Sequence, residues 1–242
     1  MKDFLFDTHF HLDLIKDQES AGIEITENKI YTIAVTNLPD LYRKEFLNDR
    51  DCKYIKHALG FHPELICKFP KQEKLMWELL PKAKYVGEVG LDFSKDIEPQ
   101  QIIFFKKLID KIRFEKKIVT IHSRNAAEDV IKIIGNKFYF IPILHWFSGN
   151  QRDLITAIEN GFYISVNHKM VNTHKFAALC KFVPKERLLL ETDLPFSYNG
   201  MLQKEALLFT IEQLSKFYNV GVDNIKEQLC SNFKKVLMYS NK

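Results

Sequence analysis

The chain has 242 residues, a formal net charge of +4 and 46% hydrophobic residues. That balance excludes a mainly disordered chain. Nine glycines and eight prolines exclude a collagen-like or low-complexity one. The length fits one barrel-sized α/β domain with a core large enough to need no disulfide or structural metal for folding. The four cysteines, Cys52, Cys67, Cys180 and Cys230, make no CxxC pair, so reduced thiols of a cytoplasmic protein are expected. An acid at Asp3 and a short apolar stretch argue against a secretory leader, and no run of about 18 apolar residues predicts a membrane span.

Short apolar runs alternate with amphipathic stretches along the chain. Strands are predicted at Phe4–Phe6, Tyr31–Thr36, Tyr54–Leu59, Tyr85–Val89, Ile118–Ile121, Phe140–Leu144, Phe162–Val166 and Leu188–Leu190. Helices are predicted at Asp40–Asn48, Gln72–Leu80, Pro99–Lys116, Asn125–Gly135, Asn150–Glu159 and Thr173–Phe182, with Gln203–Tyr218 and Val222–Tyr239 after the last strand. In the Pro99 helix, Ile102, Phe105, Leu108, Ile109 and Ile112 recur at the spacing of one buried face, and the lysines at 106, 107, 116 and 117 read as a solvated one. The segment Leu14–Lys29 shows no clear period. Strand–helix alternation predicts a parallel sheet with right-handed crossovers, and eight repeats in this length predict a single-domain (β/α)8 TIM-type barrel spanning 1–242. An open doubly wound sheet has the same periodicity.

The apolar runs stop at polar residues of metal-ligand type. Strand one runs into Asp7-Thr8-His9-Phe10-His11, strand three into Gly60-Phe61-His62-Pro63 and strand four into Gly87-Glu88-Val89-Gly90-Leu91-Asp92. Strand five ends at His122-Ser123-Arg124, strand six at His145-Trp146-Phe147-Ser148-Gly149 and strand eight at Glu191-Thr192-Asp193-Leu194-Pro195. A His-x-His pair in extended chain points both rings the same way. Singly, Glu88 reads better as a loop salt bridge and His122 and His145 as core histidines, while Asp193 also suits a helix cap. Together, His9, His11, His62, His122 and His145 with Glu88 and Asp193 converge on the carboxyl-terminal face of the barrel, where such folds keep their active sites, and predict a metal site. His57, inside strand three, is expected to be structural, and His168 and His174 to be solvated or supporting.

These ordered motifs resemble the TatD-like family of metal-dependent deoxyribonucleases, within the amidohydrolase-type barrel superfamily: DTHFHLD (7–13), GFHP (60–63), GEVGLD (87–92), HSR (122–124), HWFSG (145–149) and ETDLP (191–195), with Gln101 and Phe105 fitting the Gln-x-x-x-Phe after strand four. Within the family, HWFSG followed by Ser165-Val166-Asn167 is most similar to the QatD-type members of Qat antiphage defence operons. The resemblance implies a distorted (β/α)8 barrel and cleavage of DNA phosphodiester bonds by water activated between two divalent ions. By position it makes His9, His11 and Asp193 ligands of one ion, His122 and His145 ligands of the other, and Glu88 the bridge. Asp193 is the candidate general base, Arg124 and His62 are candidates to hold the phosphate and leaving oxygen, and Asp92 is either a partner that orients a ligand or a helix cap. Four imidazoles suit zinc or manganese, whereas the family resemblance implies magnesium.

One departure bears on substrate. Family nucleases carry a basic Arg-Gly-Lys-x-Asn stretch after the strand-eight aspartate, and here Asp193 is followed by Leu194-Pro195-Phe196-Ser197-Tyr198-Asn199-Gly200. DNA or another phosphodiester remains the expected substrate, with other proteins of a defence operon as candidate partners. Two rivals stay open: hydrolysis of an amide, lactone or phosphotriester at the same metals, and a subunit whose barrel mainly docks partners.

Overall fold

A computed structural model describes residues 4–47, 51–95, 98–171 and 173–239. The amino-terminal acid Asp3 and Asn48, the last residue of the predicted second-strand helix, lie outside the described residues. The elements are β1 (Leu5–Phe10), α1 (Gln18–Glu27), β2 (Ile30–Val35), α2 (Pro39–Leu47), β3 (Ile55–Ala58), α3 (Pro63–Ile66), α4 (Gln72–Leu79), β4 (Tyr85–Gly90), α5 (Pro99–Ile112), β5 (Ile118–His122), α6 (Ala127–Ile134), β6 (Ile141–Leu144), α7 (Gln151–Glu159), β7 (Tyr163–Val166), α8 (His174–Phe182), β8 (Leu188–Leu190), α9 (Gln203–Tyr218) and α10 (Val222–Tyr239). All eight strands lie within about two residues of their predicted places, except that β1 extends through Phe10. Its His and Asp side chains broke the apolar run without breaking the extended backbone.

Every pairing is parallel, β1-β2-β3 in one ladder and β4 through β8 in another. Two seams join the ladders into a barrel. At the first, Leu59 pairs with Val86, Thr36 N–H donates to the Gly87 carbonyl at 3.1 Å and Glu88 N–H to the Thr36 carbonyl at 3.1 Å. A Cβ on Gly60 would overlap the Thr36 carbonyl oxygen, so only glycine permits this approach. At the second, Asp193 N–H donates to the His9 carbonyl at 2.8 Å and His11 N–H to the Leu194 carbonyl at 2.9 Å. Both seams use irregular backbone in place of a full ladder, which is the distortion the family resemblance implies.

Helices cover the outside. In α5 the buried residues are Gln101, Phe104, Phe105, Leu108, Ile109 and Ile112, while Ile102 is only partly covered. Phe233 of α10 stacks on Phe6 of β1 at 4.4 Å between ring centroids. α1 occupies the segment whose period was unreadable: it buries only Ile25, so it carries almost no apolar stripe and is held instead by its Asp17 cap on Ser20 N–H. The four-residue α3 was too short to show a period.

One surface expectation is corrected, and for His168 the two readings left open are narrowed to a supporting one. Lys117 is buried, donating to the carbonyls of Leu80 (3.0 Å) and Ala83 (2.6 Å) and pairing with Glu115 at 2.9 Å; its long stem lets a charge at a strand start satisfy a turn. His168 is buried too, its Nε2 at 2.9 Å from the Ser197 carbonyl, whereas His174 is exposed. His57 is buried within β3 with Nδ1 at 3.0 Å from Asp51, away from the other histidines, as a structural residue should be. All four cysteines are free thiols. Among the described residues no helix is long and apolar enough to cross a membrane.

Candidate metal centre

The carboxyl-terminal ends of the strands bring the candidates together around Glu88. Its two carboxylate oxygens face different partners. Oε2 lies 3.3 Å from His11 Nε2 and 3.7 Å from His9 Nε2, while Oε1 lies 2.7 Å from His122 Nδ1, 2.9 Å from His145 Nε2 and 3.5 Å from His62 Nε2. Asp193 joins the first set, its Oδ1 at 3.3 Å from His11 Nε2 and 3.6 Å from His9 Nε2. The cluster therefore has two lobes joined by one carboxylate.

β1 sets the first lobe. His9 and His11 stand two residues apart in extended chain, and both Nε2 atoms converge to 3.3 Å. The other His9 nitrogen is paired with Thr120 Oγ1 at 2.6 Å, and that of His11 lies 3.4 Å from Asn37 Nδ2 and 3.7 Å from Asp13. Asp193 takes a left-handed φ of 56°, an uncommon conformation for a side chain-bearing residue. Hydrogen bonds on both sides hold it there: its N–H to the His9 carbonyl and Ser197 N–H to its own carbonyl at 3.1 Å.

The second lobe is organised by tautomers. His122 Nε2 lies 2.7 Å from Asp92 Oδ2 and Nδ1 faces Glu88 and His145, so a neutral ring that donates to Asp92 presents a bare Nδ1 to the centre. Asp92 also accepts from Ser94 N–H, so it both shapes the turn and orients the ring; Gln101 Oε1 holds the Asp92 N–H at 2.9 Å. His62 caps α3 by accepting Glu64 N–H on Nδ1, so in the neutral ring Nε2 carries the proton that points at Glu88. That makes His62 a donor to the centre, although its place in a cluster with Glu88 and His122 brings it within ligand distance. Arg124 lines the same cavity and is exposed.

Burial and charge polarise these groups. Burial first, then the neighbouring His145 charge, pushes His9 down to about 3, so its ring is neutral. Burial opposes protonation of His122, but Asp92 and Glu88 outweigh it and raise it to about 9; His11 is raised by Asp13, Asp193 and Glu88 against the same penalty. Glu88, buried among five imidazoles, is nevertheless held well below the usual carboxylate range, because the charges of His62 and His145 and the bonds from His11 and His122 outweigh desolvation.

This arrangement fits divalent cations. Asp193 Oδ1 is buried and has no hydrogen-bond donor among the described residues, and imidazole nitrogens approach one another at 3.2–3.3 Å, where lone pairs repel unless a cation or proton lies between them. A set of imidazoles and carboxylates matches a first-row dication.

Three supporting residues had no role assigned from the sequence, although Asp7 and Glu191 open two of its motifs. Glu191 is buried and pushed up to about 7 by desolvation; it accepts from Ser165 Oγ, from Asn167 Nδ2 at 2.9 Å and from Trp146 N–H at 2.9 Å, and stands 3.9 Å from His145 Nδ1. Asp7 and Gln203 form a second network behind β1. Gln203 lies at the start of a helix nearly two hundred residues from Asp7, so no local spacing could connect them. The Ser165-Val166-Asn167 stretch, in contrast, was visible as a motif, and its polar residues serve Glu191.

Comparison with known proteins identifies the family and the fold. The family profile described as "TatD related DNase" matches residues 6–238. An uncharacterized metal-dependent hydrolase of Buchnera aphidicola subsp. Acyrthosiphon pisum is 32% identical over 260 residues, covering 96% of this chain and 98% of its own. Deoxyribonuclease Tat-D of Schizosaccharomyces pombe is 30% identical over 152 residues, which cover 59% of this chain and 47% of the yeast protein. The crystal structure of the TatD homologue YjjV from Escherichia coli K12 superposes with a TM-score of 0.79 at 20% identity, covering 98% of each chain, and shares the barrel fold. The chain belongs to the TatD family of metal-dependent hydrolases.

Proposed function

We propose that this chain is a nuclease that hydrolyses DNA phosphodiester bonds with two divalent cations, one held by His9, His11 and Asp193, the other by His122 and His145, with Glu88 shared. The observation that carries this reading is the division of Glu88: its two oxygens face two separate imidazole sets. The name of the yeast relative, a deoxyribonuclease, supports DNA as the substrate. Bound dications supply positive charge to the phosphate oxygens and acidify water near neutral pH.

The chain's own residues supply the rest. Asp193 Oδ1, an acceptor with no donor of its own, takes the proton of the attacking water as that water's oxygen bonds to phosphorus. The phosphorus–oxygen bond to the leaving group breaks in line, and His62 gives its Nε2 proton to the departing oxygen. Arg124 pairs with the non-bridging oxygens through its planar fork. Four imidazoles favour zinc or manganese over magnesium. Metal analysis of the purified chain, with assays on DNA, RNA and a small phosphodiester, tests the reading: two ions per chain and divalent-dependent cleavage of DNA are expected. Cleavage of an amide or lactone with no nucleic acid cut would overturn it.

HWFSG with Ser165-Val166-Asn167 supports a narrower reading, that the chain acts in a Qat-type antiphage operon beside partner proteins. Phage plating on cells carrying the operon with Glu88→Gln is expected to lose protection. Full protection by that variant would remove catalysis from the defence role.

A further inference from the structure

The metal centre opens into a cavity of about 890 Å³ whose wall is unexpectedly apolar. Leu14, Leu38, Leu41 and Leu65 with Trp146 and Phe196 form the collar, and among the described residues lining the cavity Arg124 is the one lysine or arginine. Phe196 is 63% exposed, yet its ring sits edge-on to His11 with centroids 4.9 Å apart, so a flat apolar face stands open to solvent beside the centre. Trp146 has a left-handed φ of 38°, held by its N–H donating to the buried Glu191 carboxylate, which Ser165 and Asn167 fix in turn. Such a collar offers little to a polyphosphate backbone but suits the face of a heteroaromatic ring.

Building on the nuclease reading above, we infer that Phe196 and Trp146 form a base-stacking subsite, and that the unit recognised is one phosphodiester with a single unpaired base beside it. Phosphate is read once, by the ions with Arg124; the remaining affinity comes from the ring. Substrates as short as a dinucleotide then bind nearly as well as long strands. Phe196 occupies the place where a basic stretch would otherwise gather further phosphates, so the same residue that removes cationic contacts supplies a stacking one.

Salt separates stacking from phosphate counting. For single strands, affinity falls with a log–log slope of about 0.7 per phosphate neutralised, so raising salt from about 50 to about 300 mM costs about 3.5-fold for one contact and about 500-fold for five. With saturating metal, kcat/KM on a strand of about 20 nucleotides is expected to fall by the smaller factor, and d(ApA) to be cleaved with a KM within about tenfold of the strand's. An analogue of d(ApA) lacking one base, with charge unchanged, is expected to bind at least about 5-fold more weakly. Phe196→Leu, which keeps an apolar cover on His11, is expected to raise KM for d(ApA) by a similar factor with kcat unchanged, and Phe196→Trp to retain it. A steep salt slope, a dinucleotide left intact while the long strand is cut, or Phe196→Leu behaving as wild type would each overturn the inference while leaving the nuclease reading in place. No cleavage of any nucleic acid overturns both.

Discussion

Asp7 of β1 accepts two hydrogen bonds from Thr192, just beyond β8, across the seam where the barrel has no strand ladder. Thr192 N–H donates to Asp7 Oδ1 at 3.0 Å and Thr192 Oγ1 to Oδ2 at 2.5 Å. Gln203 Nε2 adds a third donor at 3.0 Å and His9 N–H a fourth at 3.1 Å. This carboxylate is fully buried, and desolvation raises it to about 6 against those four bonds. His9 stands two residues beyond Asp7 and Asp193 directly follows Thr192, so the seam that closes the barrel also sets two candidate ligands at their spacing.

Removing one donor should therefore weaken both fold and site. Thr192→Val keeps the side-chain volume but leaves a buried carboxylate oxygen short of a partner, and is expected to cost about 1.5–3 kcal/mol in urea unfolding. Thr192→Ser should recover most of that loss. Equal stability of the valine variant and wild type would show that the seam is held by backbone contacts alone.

Glu88→Gln keeps the shape of the side chain and removes the charge that both imidazole sets face. Divalent-dependent hydrolysis is expected to fall at least about 10³-fold, because several kcal/mol of transition-state stabilisation are lost with the ions. Calorimetric titration should show fewer than two ions bound while the far-UV spectrum is unchanged. Asp193→Asn should abolish turnover in the same way.

Asp92 acts through His122 rather than on substrate. Asp92→Asn can present its amide to His122 and favour the opposite tautomer, so metal affinity or activity is expected to drop about 10–100-fold. An affinity unchanged within twofold, measured by competition with a chelator, would leave Asp92 only its hydrogen bond to Ser94 N–H.

Metal should be visible in stability as well. An ion that binds the folded chain at about 100 times its Kd adds about 2.7 kcal/mol, which for a chain of this size raises Tm by roughly 5–10 °C. The shift should depend on metal concentration, reverse with chelator and vanish in Glu88→Gln. A Tm indifferent to zinc, manganese and magnesium would argue against ions at this cluster.

Cys67 is exposed, but its thiol is pushed up to about 11, chiefly by a hydrogen bond to the Glu98 carboxylate and then by desolvation. The thiolate is the reactive form, so alkylation of Cys67 at about pH 8 should run about 100-fold slower than that of an ordinary thiol. The rate should rise about tenfold per pH unit toward pH 11, and Glu98→Gln should accelerate it. Mass spectrometry of the Cys67 peptide reads this directly.

Much of the architecture was legible because its causes are local. Buried parallel strands must be short apolar runs, and Pro99 opening a helix with Phe105, Leu108 and Ile112 on one face leaves little else for that stretch to be. α1 escaped notice because only Ile25 is buried on it, so there was no stripe to read. Lys117 was misjudged for a related reason: a lysine's charge says nothing of whether two carbonyls wait for it.

By itself, the sequence determined which residue types end the strands, and their order was sufficient to place them on one face of a barrel and to identify the family. Tertiary structure alone decided how they meet. It turned the two oxygens of Glu88 to different imidazole sets, chose the His122 and His62 tautomers through Asp92 and the α3 cap, and joined Asp7 to Thr192 and Gln203 across nearly the whole chain. Strand periodicity is a property of neighbours along the chain, whereas hydrogen-bond partners and cavity walls depend on closing the barrel, which brings together residues that no local spacing relates.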